Sequence, residues 1–480
     1  MKEMTVEKAW RKVRCGFLAA CLSVPLLFGT AQAAEPKGAR RAVLPAASEG
    51  TLEDTVYSTI NYHPRLKGFQ EFRQAATHAV GKARSGWLPR VDLRAGIGME
   101  QWDDRTTRHH PLTSRQNNYD FYERREVDVV VQQTLWDGLS TKARHDIAQS
   151  KLSSAESRLL DNTTALSLDA ILAHIDVCRN IRLVKLAEDN VENHKRILAS
   201  QHERQSLGAA SMADVTQTQS RLARALSTLE ESKADLEISA ASYRRLTGKA
   251  PRALITPALP VNGYTSLESV VASSQALNPK ITALRWDIET AKAEVEVSKA
   301  NFHPLITAEY SYGYRYQVGS DTNYNQGHAF MLRLNWNIFN GFYDWYETKN
   351  LLATSRQRRH EMDETRIALI DEAEKTWASF KSEKERARHY AMAVDQGTQT
   401  RDMYIEQFNL GQRSLLDVLD AENEVFTSSQ QYTTCSMNEI ANMYRLLAVG
   451  GELTYGFGVK DNVLHVDTDT SFWIWKKPSL

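Results

Sequence analysis

The chain of 480 residues carries 59 lysines and arginines against 59 aspartates and glutamates, for a formal net charge of zero, and 42% of it is hydrophobic. That balance lacks the basic excess of a nucleic-acid binder, and the length leaves room for about two to four domains. A membrane-spanning helix takes about 20 mainly apolar residues; the one candidate, Cys15 to Gly29, is too short, which argues against a helical membrane protein.

The N-terminus reads as a secretory signal over 1–33. A basic segment (Lys8, Arg11, Lys12, Arg14) precedes the apolar stretch, and Ala31-Gln32-Ala33 follows it as a small-x-small cleavage site. The mature chain then begins near Ala34, with a linker over 34–50. A rival cut at Leu18-Ala19-Ala20-Cys21 has the form of a lipoprotein site and would make Cys21 the lipidated residue, although the apolar run before it is very short. Cleavage near Ala33 leaves only Cys178 and Cys435, too few for a disulfide framework. Both lie in helical segments and are expected to be buried, or free and inert.

The rest is written twice, as a first repeat over 51–260 and a second over 261–460, before a tail over 461–480. Asn61-Tyr62-His63-Pro64 recurs as Leu277-Asn278-Pro279, and Trp87-Leu88-Pro89 as Phe302-His303-Pro304, both prolines 215 residues on. Trp136-Asp137-Gly138 recurs as Phe339-Asn340-Gly341, and Leu207-Gly208 with Asp214-Val215 as Leu410-Gly411 with Asp417-Val418, now 203 residues on. The halves therefore share one plan and differ in a loop.

Each repeat opens with a short helix, over 63–88 and 276–302. Period-two segments follow. Val91, Leu93, Ala95, Ile97 and Met99 alternate with mostly polar residues or glycine, as do Val127, Val129 and Val131, Tyr310, Tyr312, Tyr314 and Tyr316, and Leu332, Leu334, Trp336 and Ile338. The spacing predicts strands over 91–101, 121–136, 305–317 and 328–339, with two long polar loops from Trp102 to Asp120 and Gly319 to Gln326. One apolar and one polar face suit a barrel with lipid outside and water inside; a soluble half-buried sheet would alternate in the same way. The aromatic face and the secretory signal favour the barrel. Four strands cannot close one, whereas three chains would supply twelve.

From 139 to 207 there is neither Pro nor Gly, enough for a helix of about 100 Å at 1.5 Å per residue. Past Gly208 a second such stretch runs to Thr247, with Val215, Gln219, Leu222, Leu226, Leu229, Lys233, Leu236, Ala240 and Tyr243 at the four-and-three spacing of a coiled-coil seam. An αα-hairpin over 139–247 follows, repeated over 342–449. The return arm is short, and the preceding short helix makes up the missing length when stacked end to end with it. No HExxH, CxxC or phosphate-loop pattern occurs, so neither catalytic residues, metal ligands nor a cofactor are expected; His109-His110, beside Pro111, reads as surface loop.

This order of elements resembles the TolC family of outer-membrane channels over nearly the whole mature chain. The carrying residues are the two strand-to-helix junctions and the run from Gly411 through Arg413, Ser414, Leu415, Asp417 and Asp420 to Asn423, which is similar to the second hairpin tip of the family's type I secretion branch. The resemblance implies an α+β membrane protein: a homotrimer with a twelve-strand β-barrel in outer-membrane lipid, continued by a twelve-helix periplasmic α-barrel. It also implies a pore constriction at Asp417 and Asp420, one helical turn apart, whose carboxylate rings would favour cations; the same acids would also suit a plain helix start. It places a closed-state link at Arg413, Asp214 and Phe408, although Ala213 and Phe408 stand where the family has hydroxyl groups, so that packing is expected to replace two hydrogen bonds. Leu207, Gly208, Ser211, Leu410, Gly411, Ser414 and Leu415 are the expected contacts with a periplasmic adaptor, and Tyr310, Tyr312, Tyr314, Leu332, Leu334 and Trp336 the lipid-facing residues.

The function implied is the exit duct of a type I secretion system, working with the adaptor and an inner-membrane ABC transporter to export a large adhesin or toxin. The channel of a multidrug or metal efflux pump shares the fold. A periplasmic coiled-coil adaptor is a more distant reading, because it would carry one hairpin and no amphipathic strands.

Overall fold

The computed structural model describes residues 50–101, 121–260, 263–316, 318 and 324–458. The expected signal with Cys21, the linker up to residue 49, the first polar loop with His109-His110, residues 319–323 of the second loop and the tail lie outside them. In chain order the described elements are α1 (Leu52–Tyr62), α2 (Pro64–Arg84), a 3-10 turn (Ser85–Trp87), β1 (Arg90–Gln101), β2 (Phe121–Trp136), α3 (Ser140–Ser206), α4 (Met212–Thr247), α5 (Leu267–Leu277), α6 (Pro279–Ala300), β3 (Leu305–Tyr316), β4 (Asn325–Asn335), α7 (Tyr343–Asn409), α8 (Leu415–Gly450) and α9 (Leu453–Gly456).

The repeated prolines act alike. Pro64 and Pro279 are the first residues of α2 and α6, where a missing N–H costs nothing. The residues before them, His63 and Asn278, are held extended and cap the helix through their side chains. This breaks α1 from α2 and α5 from α6. The long helices α3 and α7 have 67 residues each, and α4 and α8 have 36. The main core lies where α1, α2, α3, α4 and α8 meet, around Val56, Leu66, Leu159, Ile171, Met437 and Leu453. A buried polar chain ties the same region: the Tyr243 hydroxyl lies 3.0 Å from Thr55 Oγ1, which lies 2.8 Å from His174 Nδ1, and His174 Nε2 donates to the Ile255 carbonyl at 2.9 Å. Cys178 and Cys435 are free thiols, both buried.

The strands form one antiparallel sheet in the order β1-β2-β3-β4, so the pairing of β2 with β3 joins the two repeats. Its register aligns Val91, Val131, Tyr310 and Phe330 across all four strands, and Leu93, Val129 and Tyr312 beside them. The apolar positions thus fall on one face. The other face is crossed by ion pairs, Arg124 with Glu100 (3.2 Å), Arg315 with Asp128 (3.5 Å) and Arg333 with Glu309 (2.9 Å). β4 covers Asn325–Asn335 instead of 328–339, so it takes in the last two residues of the expected second loop and stops four residues early. Asn335 is already opposite Leu305, the first residue of β3, so nothing remains to pair with later residues. Trp336 instead donates its indole N–H to the Phe302 carbonyl at 3.2 Å.

Both turns from sheet into long helix use two successive left-handed residues, Gly138 and Leu139 in one repeat and Gly341 and Phe342 in the other. Gly138 is also a close approach: a Cβ there would stand 2.7 Å from the Ala300 carbonyl oxygen. Asp137 holds its turn by accepting the Thr141 N–H at 2.7 Å, and Asn340 holds the matching turn through Asp344.

Candidate functional site

The hairpin tips are built by one device used twice. α3 and α7 end two residues before Gly208 and Gly411, which take φ of +74° and +75° and let the last carbonyls be satisfied by reversed N–H groups. Three residues on, Ser211 and Ser414 start the return helices as capping boxes. The Ser211 hydroxyl accepts the Asp214 N–H at 3.2 Å and the Asp214 carboxylate accepts the Ser211 N–H at 3.0 Å; Ser414 and Asp417 do the same at 3.2 and 3.3 Å. The repeated Leu-Gly and Asp-Val steps are therefore stop and start signals of a turn. Leu207 and Leu410 project from the two turns, 76% and 72% exposed, beside the exposed Ser211 and Ser414. Leu415 differs from its expected neighbours. It is buried, because the first turn of α8 directs it inward beside Phe408 and Val418.

The expected link between Arg413 and Asp214 is not made within the chain. The Asp214 carboxylate is taken up by its capping box, while the Arg413 guanidinium stacks 4.0 Å above the Tyr404 ring and lies 3.7 Å from Asp417. Three other ties join the first hairpin to the second. Arg204, at the end of α3, lies 4.4 Å over the Phe408 ring and donates to the Phe408 carbonyl at 3.3 Å. Arg221 of α4 donates to Asp420 of α8 at 3.1 Å. Glu422, only 4% exposed, accepts from Asn193 of α3 and lies 3.6 Å from Arg401 of α7. Phe408 thus serves Arg204 as a cation–π platform.

Sequence reading missed Arg204, Arg221, Asn193, Arg401 and Glu422. The one available signal is an asymmetry between repeats. The positions matching Asp420 and Glu422, 203 residues earlier, hold the neutral Gln217 and Gln219, and Arg221 follows one turn later. Acids on one hairpin and a cation on the other make a complementary seam.

Asp417 and Asp420 are both half-open to water on one side of α8. Of the expected lipid-facing residues, Tyr310, Tyr312, Tyr314, Leu332 and Leu334 lie on the apolar sheet face and Trp336 just beyond it. Among the described residues there is no cluster of three acidic, cysteine or histidine side chains placed to hold a metal, and no helix long and apolar enough to cross a membrane.

The profile of the family described as "Outer membrane efflux protein" matches residues 56–249 and 270–448. Outer membrane efflux protein BepC of Brucella suis biovar 1 is 22% identical over 408 residues, covering 81% of this chain and 88% of that protein. Alkaline protease secretion protein AprF of Pseudomonas aeruginosa is 24% identical over 433 residues, covering 83% of this chain and 84% of that one. Among solved structures, the outer membrane protein VceC of Vibrio cholerae has the same fold, with a TM-score of 0.72 at 16% identity over 84% of this chain and 96% of that one. The two matched segments fall on the two repeats, each a strand pair feeding a long hairpin, and so the chain belongs to the outer membrane efflux protein family, as a non-enzymatic duct with a barrel in the outer membrane and helices in the periplasm.

Proposed function

We propose that this duct serves type I protein secretion, receiving an unfolded adhesin or toxin from an inner-membrane ABC transporter through a periplasmic adaptor. The observation that carries the reading is the second tip, where Gly411 to Asn423 combine an exposed turn with acids on one side of α8. The name of the relative AprF, alkaline protease secretion protein, supports it. In this reading Asp417 and Asp420 line the constriction, and Leu207, Gly208, Ser211, Leu410, Gly411 and Ser414 are offered to the adaptor. Tyr310, Tyr312, Tyr314, Leu332 and Leu334 meet lipid, with Trp336 at its edge. The name of BepC favours the second reading, a drug or metal efflux duct.

A deletion strain separates the two. Under the secretion reading, its culture supernatant loses a large protein that returns on complementation, while its tolerance of drugs and metals is unchanged. An unaltered set of secreted proteins together with raised drug or metal sensitivity would transfer the chain to efflux.

A further inference from the structure

Asp420 does not stand alone. Arg221 reaches it from the other hairpin, with Nη2 3.1 Å from Oδ1, and the two differ in exposure: the aspartate side chain is 60% open to water, the arginine 27%. The carboxylate therefore faces solvent with a cation tucked behind it. Arg221 is not shared with the neighbouring acids, since Glu422 is held by Asn193 and Arg401 and Asp417 lies beside Arg413. Where the first hairpin would repeat Asp420 it has Gln217, so α4 brings a positive charge to this level and no acid of its own at that position.

We infer that Arg221 is a selectivity-determining residue of the duct: its guanidinium offsets the Asp420 charge, so the constriction works as a compensated ring and not as a bare ring of carboxylates. The inference rests on the proposal that Asp420 lines the constriction. An ion pair presents a dipole, whose field falls off faster than that of a lone charge, and what remains is screened over a Debye length of about 10 Å at 0.1 M salt. Removing the arginine exposes one uncompensated carboxylate per chain. Selectivity should then move opposite to the change made by removing the aspartate.

The test is the reversal potential of the purified full-length protein in planar bilayers under a KCl gradient. Arg221→Gln should raise the cation-to-anion permeability ratio roughly twofold or more at 0.1 M, and the gain should shrink at 1 M, where the Debye length is about 3 Å. Arg221→Lys keeps the charge and should keep the wild-type ratio, which a purely mechanical tie between hairpins would not require. Asp420→Asn added to Arg221→Gln should cancel the gain. If Asp420→Asn lowers the ratio of the wild type but Arg221→Gln leaves it unmoved, Arg221 is only a tie and the inference is wrong. If neither change moves it, the constriction lies elsewhere, and the site reading beneath the inference fails with it. Should Arg221→Gln not assemble, Arg221→Met tests the same loss of charge with the aliphatic stem kept, and failure of every uncharged replacement alongside a working Arg221→Lys would assign Arg221 to assembly and overturn the proposal.

Discussion

His174 and His194 both lie in α3, out of contact with bulk water, yet they differ in what they touch. His174 is fully buried and bonded at both ring nitrogens. The Ile255 carbonyl can only accept, so Nε2 carries the proton and Nδ1 accepts from the Thr55 hydroxyl. Burial holds its pKa below the ordinary histidine value, with the Ile255 bond opposing the shift, and burial lowers His194 as well, against the pull of Glu422 and with the push of Arg221. The sign follows from the folded values being depressed. The unfolded chain takes up protons first as pH falls, so this stability is present above the ordinary value of about 6.5 and is lost below it, until the folded form is protonated too. The thermal midpoint of the assembled protein should fall between pH 7.5 and pH 5, and His174→Gln, which can bond at both ends, should flatten part of that fall. An identical pH slope in the variant would remove His174 from the account. Cys435 faces the opposite shift, pushed up to about 11 by burial and by Glu383, so it stays a neutral thiol at physiological pH.

At the scale of elements, the capping boxes make the tips separable from the helices they end. Ser211→Ala and Ser414→Ala should each cost about 1 kcal/mol of local helix stability, the usual price of a lost N-cap. Hydrogen exchange should show this as faster exchange in the first turns of α4 and α8, with the strands unchanged; uniform protection would mean that packing, not the cap, holds those turns. The Leu-Gly and Asp-Val steps were legible in the sequence as repeated spacing, though not as capping boxes, because a turn is a local device: Gly208 and Ser211 act on residues a few positions away, and so do Gly411 and Ser414. The prolines at 64 and 279 were legible for the same reason. The ties between hairpins were not, since Arg204 meets Phe408, and Arg221 meets Asp420, across about two hundred residues, and no periodicity within one hairpin encodes its partner. Family resemblance points to Arg413 and Asp214; within one chain the capping box holds the Asp214 carboxylate, while Arg413 stacks on Tyr404 and lies beside Asp417. The end of β4 was missed on similar grounds, because a strand stops where its partner does, and alternation beyond Asn335 says nothing of where β3 begins.

For the whole molecule, what the single chain leaves unfinished is informative. Among the described residues β1 and β4 each have one edge without a strand partner, and α7 exposes Ile367, Met392 and Met403 along a face with few buried residues, whereas α3 is buried along much of its length. Edges of this kind invite pairing, and three copies would join β4 of one to β1 of the next into a closed twelve-strand wall. The detergent-solubilised protein should therefore behave as a trimer in light scattering, and a monodisperse monomer would contradict the barrel. Gly138→Ala should lower trimer yield, because the added Cβ collides with the Ala300 backbone at the elbow between sheet and helix.

The open sheet also sets an order of events in the making of the channel. An outer-membrane strand can enter lipid only when its backbone groups are paired, and here the outer edges of β1 and β4 find strand partners only when neighbours arrive. Insertion thus waits on an encounter between chains, so the yield of channel should rise more steeply than in proportion to the amount of chain delivered. The same free edges that close the barrel would, in an uncaught monomer, template pairing with the wrong chain. Biogenesis becomes a race decided by concentration and by whatever shields those edges in transit.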